Sequence, residues 1–244
     1  MDFGLVKRSR SESLVTEEEL EELLSDCPTL YHMAERGAWA SIEVRGLLST
    51  SALLDTYGVG QPDRDRIEKR HRPRSVAIHG NGLPKAVIRD QIPMSDAGLE
   101  RCLPAHLSPS DWYRLLNSKC FFWLTEERLH KLTGARAYRD KEHDVLEIDT
   151  RSLLDAHRDR IWLCPINSGC TKPMPSPRDE TTFARIADYP YAHWRAKRKR
   201  GERAVELAVD HSVPDIRDHV RRVIVKKGTS RISVTKSCYG EGRI

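Results

Sequence analysis

Hydrophobic and polar positions alternate along this chain with two different periods, and the switches between them predict a series of short helices and strands. Residues 16–19 form a capping box in front of an amphipathic segment, which predicts a helix that ends at Cys27 and Pro28. The apolar run of residues 30–33 then predicts a strand. A second helix is predicted to stop at Gly46, because glycine accepts the backbone conformation that ends many helices.

The rest of the chain continues this pattern of short elements. The dipeptide Asn81-Gly82 between two apolar runs predicts a hairpin. Residues 144–149 alternate as a strand with one wet face, whereas residues 58–74 and 165–182 have no period and are predicted to be loops. The other predicted elements are one that begins at 47–50, the hairpin strands 75–78 and 85–89, a helix at 110–116, a buried strand at 120–124, a helix capped at Thr125, strands at 160–163, 203–209 and 220–225, and a short helix from 213.

Many short strands, a few helices and no regular βαβ order predict an α+β fold with a mixed or antiparallel sheet. We divide the chain into an N-terminal segment with its helix (residues 1–27), a single domain (28–226) and a polar C-terminal tail (227–244). Residues 1–13 are polar and are expected to be loose.

Composition adds that this is an ordinary globular protein. The chain has 244 residues, of which 39% are hydrophobic and 32% charged, so it can bury a sizeable core. It has no apolar run of membrane-spanning length and no secretory signal, which predicts a soluble cytoplasmic protein without membrane partners. The net charge is +5, and basic residues cluster at 64–74 and 195–203. Such runs suit a polyanionic partner, but they also suit a solvated loop.

Several enzyme classes lose their support because their motifs are absent. The chain contains no GxGxxG, GxxxxGK[ST], HExxH or GxSxG sequence. Its six cysteines form no CxxC pair, and the spacing of Cys164 and Cys170 fits no common zinc knuckle. No metal site is therefore predicted.

Three segments stand out together: residues 30–34 with 46–49, residues 87–94, and the strand around Glu206. Their arrangement resembles the DarT-type DNA ADP-ribosyltransferases across most of residues 28–226. It resembles more closely a group of uncharacterised bacterial proteins that share Phe121-Phe-Trp-Leu-Thr-Glu126 and Asn167-Ser-Gly-Cys-Thr-Lys-Pro-Met174. The resemblance implies an ADP-ribosyltransferase-like split β-sheet with flanking helices, NAD⁺ as a substrate and no metal.

The resemblance also implies roles for individual residues in NAD⁺ binding. His32 corresponds to the histidine that contacts the ribose, and the backbone beside it, at Met33, holds the nicotinamide amide. Ser49 and Phe122 are further candidates for cofactor binding, Phe122 by stacking on nicotinamide. From the residues alone, His32 equally fits a partly buried histidine satisfied by the backbone, and the aromatic run Phe121-Phe-Trp123 equally fits the core.

Two charged residues correspond to the transferases' catalytic machinery. Arg89 matches an arginine that binds the phosphates of NAD⁺, although a strand-end arginine also suits an ion pair with Asp90 or Asp96. Glu206 matches the glutamate that stabilises the oxocarbenium-like sugar as nicotinamide leaves. The alternative for Glu206 is a solvent-facing carboxylate on a strand. Ala204 stands where arginine-specific relatives carry a second glutamate, which disfavours arginine as the acceptor.

The segment before Glu206 corresponds to the loop that selects the acceptor. It mixes aromatic and basic residues, a mixture that suits single-stranded nucleic acid but also suits packing of the loop against the domain. We expect DNA or RNA as the acceptor, with protein as the alternative, and an antitoxin or regulatory partner. A non-catalytic nucleic-acid-binding module of the same fold and an NAD⁺ glycohydrolase remain the other hypotheses. The predicted acceptor-binding residues are Tyr191, Trp194, Arg195, Lys197 and Arg198.

Overall fold

The structure is a computed structural model that describes residues 15–237; the expectations for residues 1–13 and for the end of the predicted tail lie outside this range. Besides the helices and strands given next, short 3₁₀ turns occur at Arg158–Arg160, Glu180–Thr182 and Ile186–Asp188. The helices are α1 (Glu17–Asp26), α2 (Trp39–Arg45), α3 (Thr50–Thr56), α4 (Asp63–Glu68), α5 (Asp96–Glu100), α6 (Pro109–Asn117), α7 (Glu126–Thr133), α8 (Thr150–His157), α9 (Tyr191–Lys197) and α10 (Ile216–His219). The strands are β1 (Thr29–Glu35), β2 (Leu47–Leu48), β3 (Val76–Gly80), β4 (Leu83–Ile88), β5 (Lys119–Trp123), β6 (Glu142–Asp149), β7 (Ile161–Cys164), β8 (Ala184–Arg185), β9 (Glu206–Asp210), β10 (Ser212–Val213), β11 (Val220–Lys227) and β12 (Ser230–Ser237).

Eight of these strands form one central sheet in the order β12-β11-β6-β1-β5-β9-β7-β8. Every neighbouring pair in it is antiparallel. Two small antiparallel ribbons, β3-β4 and β10-β2, lie outside it. The predicted α+β class is thus confirmed, and the sheet is antiparallel.

Local sequence signals explain several element boundaries. The Thr16 hydroxyl accepts from the Glu19 amide at 3.2 Å and the Glu19 carboxylate accepts from the Thr16 amide at 3.2 Å, which is the predicted capping box of α1. Asn81 and Gly82 both have positive φ, 51° and 66°, as a two-residue hairpin turn requires. Gly46 ends α2 with φ 84°.

Four expectations about local structure were wrong. The predicted loop 58–74 contains α4, because Arg64 pairs with Glu68 one turn later and Ile67 is buried beneath it. The late strand begins at Glu206, not at residue 203. Val220–Lys227 is not the last strand, since residues 230–237 of the predicted tail pair with it as β12.

The fourth concerns β6, which was predicted to have one wet face. It is buried on both faces, because Leu146 and Ile148 pack in the large cluster on one face of the sheet and Val145 packs in a cluster on the other. Its polar side chains stay paired there. Asp144 accepts from the amides of Gly37 and Trp39 at 3.0 and 3.2 Å, and Glu147 forms a two-point ion pair with Arg222. Buried charges of this kind require such partners, and the alternating pattern does not show them.

Helices cover both faces of the central sheet. The largest hydrophobic cluster lies under α1, α2, α8 and α10 and includes Leu23 and Leu153, so α1 packs into the core of the domain. On the other side the apolar residues form two separate clusters. One contains Trp112 of α6 with Ala208 of β9, and the other contains Leu129 of α7 with Val145 of β6. Within residues 15–237, no helix combines the length and the apolar character that crossing a bilayer needs.

Candidate active site

The central sheet opens between β1 and β5. β1 pairs with β6 along its whole length, but it meets β5 only at Tyr31 and Trp123. A cavity of about 690 Å³ lies at this opening. Its walls come from β1, β5, the segment from α2 to α3, the end of the β3-β4 hairpin, the loop at 167–169, and Glu206. The cavity therefore brings together residues from all three segments that stood out in the sequence.

His32 lies on β1 at the edge of the opening. Its Nδ1 is 2.8 Å from the carbonyl oxygen of Phe121, and a carbonyl only accepts, so Nδ1 carries the proton. Burial, together with the positive charge of Arg89, lowers the pKa of His32 to about 4, against the raising effect of this hydrogen bond. His32 is therefore neutral at pH 7, with an unprotonated Nε2 that is able to accept a hydrogen bond. The backbone hydrogen bond expected of a partly buried, structural histidine is present, and the side chain also lines the cavity.

Arg89 follows the last residue of β4 and lines the same cavity. Its Nη1 donates to the carbonyl of Met33 at 3.1 Å, and its guanidinium lies 5.1 Å from the centre of the Tyr138 ring. Its Nε is buried without a hydrogen-bond partner. Burial lowers the pKa of Arg89, but an arginine stays charged at neutral pH even so.

The ion pair considered for Arg89 does not form. Asp90 accepts from the hydroxyl of Tyr138 at 2.5 Å, and Asp96 accepts from the hydroxyl of Tyr113 at 2.7 Å. No carboxylate among residues 15–237 pairs with Arg89. Asp90 and Glu35 act on the charge of Arg89 without forming an ion pair with it. A cation that is largely removed from water and has no direct counter-ion is costly, so its charge is available to an anion in the cavity.

Glu206 is the first residue of β9 and is only 4% exposed, which excludes the solvent-facing alternative. It stands opposite Trp123 on β5 and Cys164 on β7. Both carboxylate oxygens accept from the Ser168 amide, each at 3.2 Å. Burial raises the pKa of Glu206 to about 7, and the hydrogen bonds from Ser168 oppose that rise. No lysine or arginine of the described chain forms an ion pair with it.

A network of buried side chains holds the loop that carries Ser168. The Ser168 carbonyl accepts from Trp112 Nε1 at 3.2 Å and from Arg178 Nη1 at 2.8 Å. Arg178 also donates to the carbonyl of Cys170 at 2.9 Å and is only 3% exposed. These bonds fix the Ser168 amide that faces Glu206. The sequence showed Ser168 only as part of the shared segment 167–174 and gave no sign of Trp112 or Arg178, because their contacts with the Ser168 carbonyl join segments far apart in the chain.

Three of the predicted cofactor-binding residues have structural roles as well. Met33 is 6% exposed, packs among Leu129 and its neighbours and lines the cavity, and its backbone carbonyl accepts from Arg89. The Ser49 hydroxyl accepts from the Ala52 amide as the cap of α3. Phe122 is 1% exposed and its ring centre lies 5.8 Å from that of His32. Phe122 thus belongs to the core and supports His32, and it is also among the residues that line the cavity, so its stacking on nicotinamide stays a prediction.

The five predicted acceptor-binding residues lie on and just after α9, away from the cavity lining. Tyr191 is 2% exposed and belongs to the core. Trp194 packs against that core, and the guanidinium of Arg198 lies 4.1 Å from its ring centre. Arg198 also donates to the carbonyl of Pro165 at 2.6 Å. Lys197 is exposed. The aromatic residues of this run therefore pack against the domain, which was the alternative to contact with nucleic acid.

The basic side chains of this run face the acidic helix α1. Arg195 pairs with Glu22 at 2.7 Å, Arg200 pairs with Asp26 at 2.6 Å, and Arg203 pairs with Glu22. Much of the positive charge that suggested a polyanionic partner is thus balanced within the chain.

Fold and site together define a class: an antiparallel α+β protein with a buried, unpaired carboxylate and an unpaired arginine in one cleft of its sheet. The chain belongs to a family of unknown function (DUF7002), whose pattern matches residues 28–220. No curated protein and no solved structure matches it.

Proposed function

We propose that the protein is an NAD⁺-dependent ADP-ribosyltransferase whose reaction takes place in the cavity between β1 and β5. The observation that carries the proposal is Glu206, a carboxylate buried at the cavity wall without an ion pair; Arg128 and Arg178 act on its charge only from a distance. A fixed negative charge in a water-poor site stabilises positive charge that develops on a substrate. His32 and Arg89 line the same cavity, as the resemblance to the DarT-type enzymes requires.

The chemistry follows from what each group offers. The bond between the ribose C1′ and the nicotinamide nitrogen breaks, and its electron pair leaves with nicotinamide. The ionised Glu206 stabilises the oxocarbenium-like sugar. The acceptor then attacks C1′, and its proton passes to Glu206 or to water. His32 Nε2 accepts from a ribose hydroxyl, which its neutral state allows.

Arg89 is the residue that we propose for the diphosphate. Its guanidinium fork matches two phosphate oxygens, and binding them would give the buried cation the counter-ion that it lacks. The neighbouring Met33 carbonyl already fixes one nitrogen of the fork. This role needs no rearrangement of an existing ion pair.

The acceptor is a separate part of the proposal. Nucleic acid is our first candidate, through the exposed Lys197 and its neighbours. The ion pairs between α9 and α1 reduce the free charge of that surface, however, and none of the five predicted residues lines the cavity. That observation favours a second candidate, hydrolysis of NAD⁺, in which water is the acceptor.

Labelled NAD⁺ tests both steps. The full chain is incubated with NAD⁺ alone and with DNA, RNA or cell lysate, and both nicotinamide release and label transfer are measured. We expect nicotinamide release that Glu206→Gln reduces about 100- to 1,000-fold, the usual effect of losing one such electrostatic interaction. Label on nucleic acid would support transfer, and free ADP-ribose alone would support hydrolysis. A folded protein that releases no nicotinamide under any condition would refute the proposal.

A further inference from the structure

Two histidines and an aspartate meet outside the cavity described above. His157 ends α8, while Asp215 precedes α10 and His219 ends it. One ligand atom from each lies within 4.8 Å of the other two. His157 Nε2 is 2.7 Å from Asp215 Oδ1, and His219 Nε2 is 3.3 Å from Asp215 Oδ2. Both histidines are more than nine-tenths buried, whereas Asp215 is 38% exposed.

His219 supplies a second observation. Its buried Nε2 faces the Asp215 carboxylate at 3.3 Å but makes no hydrogen bond with it or with any other group of the described chain. Its Nδ1 lies 2.7 Å from the Ser152 hydroxyl, which can accept the ring proton and so leave a lone pair on Nε2. A histidine held through one nitrogen, with the other nitrogen bare, is the usual arrangement of a metal ligand.

We propose that His157, Asp215 and His219 form a binding site for a divalent transition-metal ion, with zinc as the best match. Two imidazole nitrogens and one carboxylate oxygen are ligands that zinc accepts. A tetrahedral ion with bonds of about 2.0–2.2 Å spaces its ligand atoms roughly 3.3 Å apart, so small side-chain shifts suffice. Water from the exposed side of Asp215 completes the fourth position.

Arg160 sets the condition for this site. Its Nη2 lies 2.7 Å from His157 Nδ1, and because a guanidinium only donates, the neutral His157 ring carries its proton on Nε2. Zinc would bind the Nε2 lone pair, so that proton must move to Nδ1 for the ring to stay neutral. Arg160 must turn away to let Nδ1 carry it. Arg160 therefore weakens the site, and a side chain that accepts from Nδ1 would strengthen it.

The position of the site indicates a structural role. α10 packs against α8 and α2, and the preceding β10 pairs with β2 next to Ser49 of the cavity. An ion bound to residues from α8 and from both ends of α10 would fix this segment behind the cavity wall. It should therefore raise thermal stability without taking part in reactions in the cavity.

Zinc chloride and the tag-free full chain, freed of metal with EDTA, test this proposal by calorimetry and thermal unfolding. We expect one zinc ion per chain and a rise in Tm that EDTA reverses. Asp215→Asn and His219→Ala should weaken zinc binding about 100-fold, and the exposed His193→Ala is the matched control that should not change it. Arg160→Gln should bind about tenfold more tightly, since its amide oxygen accepts from Nδ1 and outer partners of ligands have effects of this size.

Cobalt offers a second readout that does not depend on stability. Bound Co²⁺ should show the visible absorption of a tetrahedral site in the wild type and in Arg160→Gln, and should lose it in His219→Ala. Absence of one-to-one binding in the wild type would overturn the proposal. Equal binding by all the variants, or binding by Arg160→Gln that is no tighter, would overturn the three-ligand assignment. None of these readouts depends on NAD⁺ chemistry.

Discussion

The burial of Glu206 prepares the cavity for its proposed chemistry and lowers the stability of the folded chain. Its pKa is raised from the ordinary 4.5 to about 7, with burial as the largest cause. The unfolded chain therefore releases this proton near pH 4.5 and the folded chain near pH 7. Between these values the folded state holds the extra proton, so the free energy of unfolding falls as the pH rises.

We predict that Glu206→Gln stabilises the protein above pH 7. The rise of the Glu206 pKa from 4.5 to about 7 corresponds to at most about 3 kcal/mol at pH 8, and the gain should vanish near pH 4.5. Urea unfolding at pH 5 and pH 8 measures it. Glu147→Gln is the control. It should lower the free energy of unfolding at pH 8, because Glu147 is buried in a two-point ion pair with Arg222. If the Glu206→Gln variant were less stable than the wild type at pH 8, the raised pKa of Glu206 would be contradicted.

The same pKa predicts how activity depends on pH. Glu206 stabilises the sugar cation only when it is ionised, so nicotinamide release should rise as the pH increases through about 7 and then level off. His32, with its pKa near 4, should not contribute in this range. Initial rates between pH 5 and pH 9 check this, and a rate that is flat across pH 7 would speak against Glu206.

Arg89 gives a prediction about binding rather than stability. Arg89→Gln removes the phosphate partner, and we expect NAD⁺ affinity to fall at least about tenfold, the loss of one charge-assisted hydrogen bond or more. Stability should fall less than affinity, because the loss of the hydrogen bond to the Met33 carbonyl and of the contact with the Tyr138 ring is offset by removal of a buried charge that has no ion pair. Calorimetry with NAD⁺ is the measurement. Arg66→Gln, on the exposed surface of α4, is the matched control and should bind as the wild type does.

At the scale of elements, a comparison of two glycines distinguishes the cost of backbone strain from the cost of a steric clash. Gly37 and Gly46 have nearly the same positive φ, 83° and 84°, but only Gly46 lies against another segment. A Cβ on Gly46 would lie 2.5 Å from Pro214 Cα, whereas a Cβ on Gly37 would meet nothing within 4 Å. Gly46 thus allows the end of α2 to pack against the chain that leads into α10.

We predict that Gly37→Ala costs about 1–2 kcal/mol from its left-handed backbone alone. Gly46→Ala should cost clearly more, because the backbone around Pro214 must also move. It should reduce NAD⁺ binding as well, since Gly46 and the following β2 line the cavity. Unfolding curves of the two variants make the comparison, and equal losses would show that the contact with Pro214 does not matter.

Short-range signals predicted most of the element types. The cap at Thr16, the turn at Asn81 and Gly82, and the apolar run of β5 depend on neighbouring residues, so they are visible in the sequence. α4 and β12 were missed because both are polar. α5, α8 and α9 were not predicted either, and α9 lies in the segment that was expected to be a loop. β12 is ordered by pairing with β11, and a segment's partner strand is not written in its own pattern.

At the scale of the whole molecule, ion pairs join α1 to the basic run at α9, which lies far from it in the chain. Glu22 pairs with Arg195 and with Arg203, which is 8% exposed. We predict that Glu22→Gln lowers the free energy of unfolding by about 1–2 kcal/mol, because the buried guanidinium of Arg203 loses one of its two carboxylate partners and keeps only Asp26, at 3.6 Å. Glu17→Gln, which breaks an exposed pair with Arg158, is the control and should have no measurable effect. Urea unfolding in low salt compares them.

The same variant reports on the acceptor. If the basic run binds nucleic acid, Glu22→Gln should tighten binding of single-stranded DNA, since it releases positive charge from α1. A fluorescence titration at two salt concentrations measures this. No binding by either protein would leave water or protein as the acceptor.

The sequence by itself determined the α+β class, most element boundaries and the three segments that carry His32, Arg89 and Glu206, because caps, turns and apolar periods act over a few residues. Only the tertiary structure decided that β1 and β5 separate around a cavity, that Arg89 has no counter-ion and that the basic run is held by α1. Those facts depend on contacts between residues that are far apart in the chain. Burial at Glu206, which sets its charge, likewise exists only once the sheet and its helices have packed.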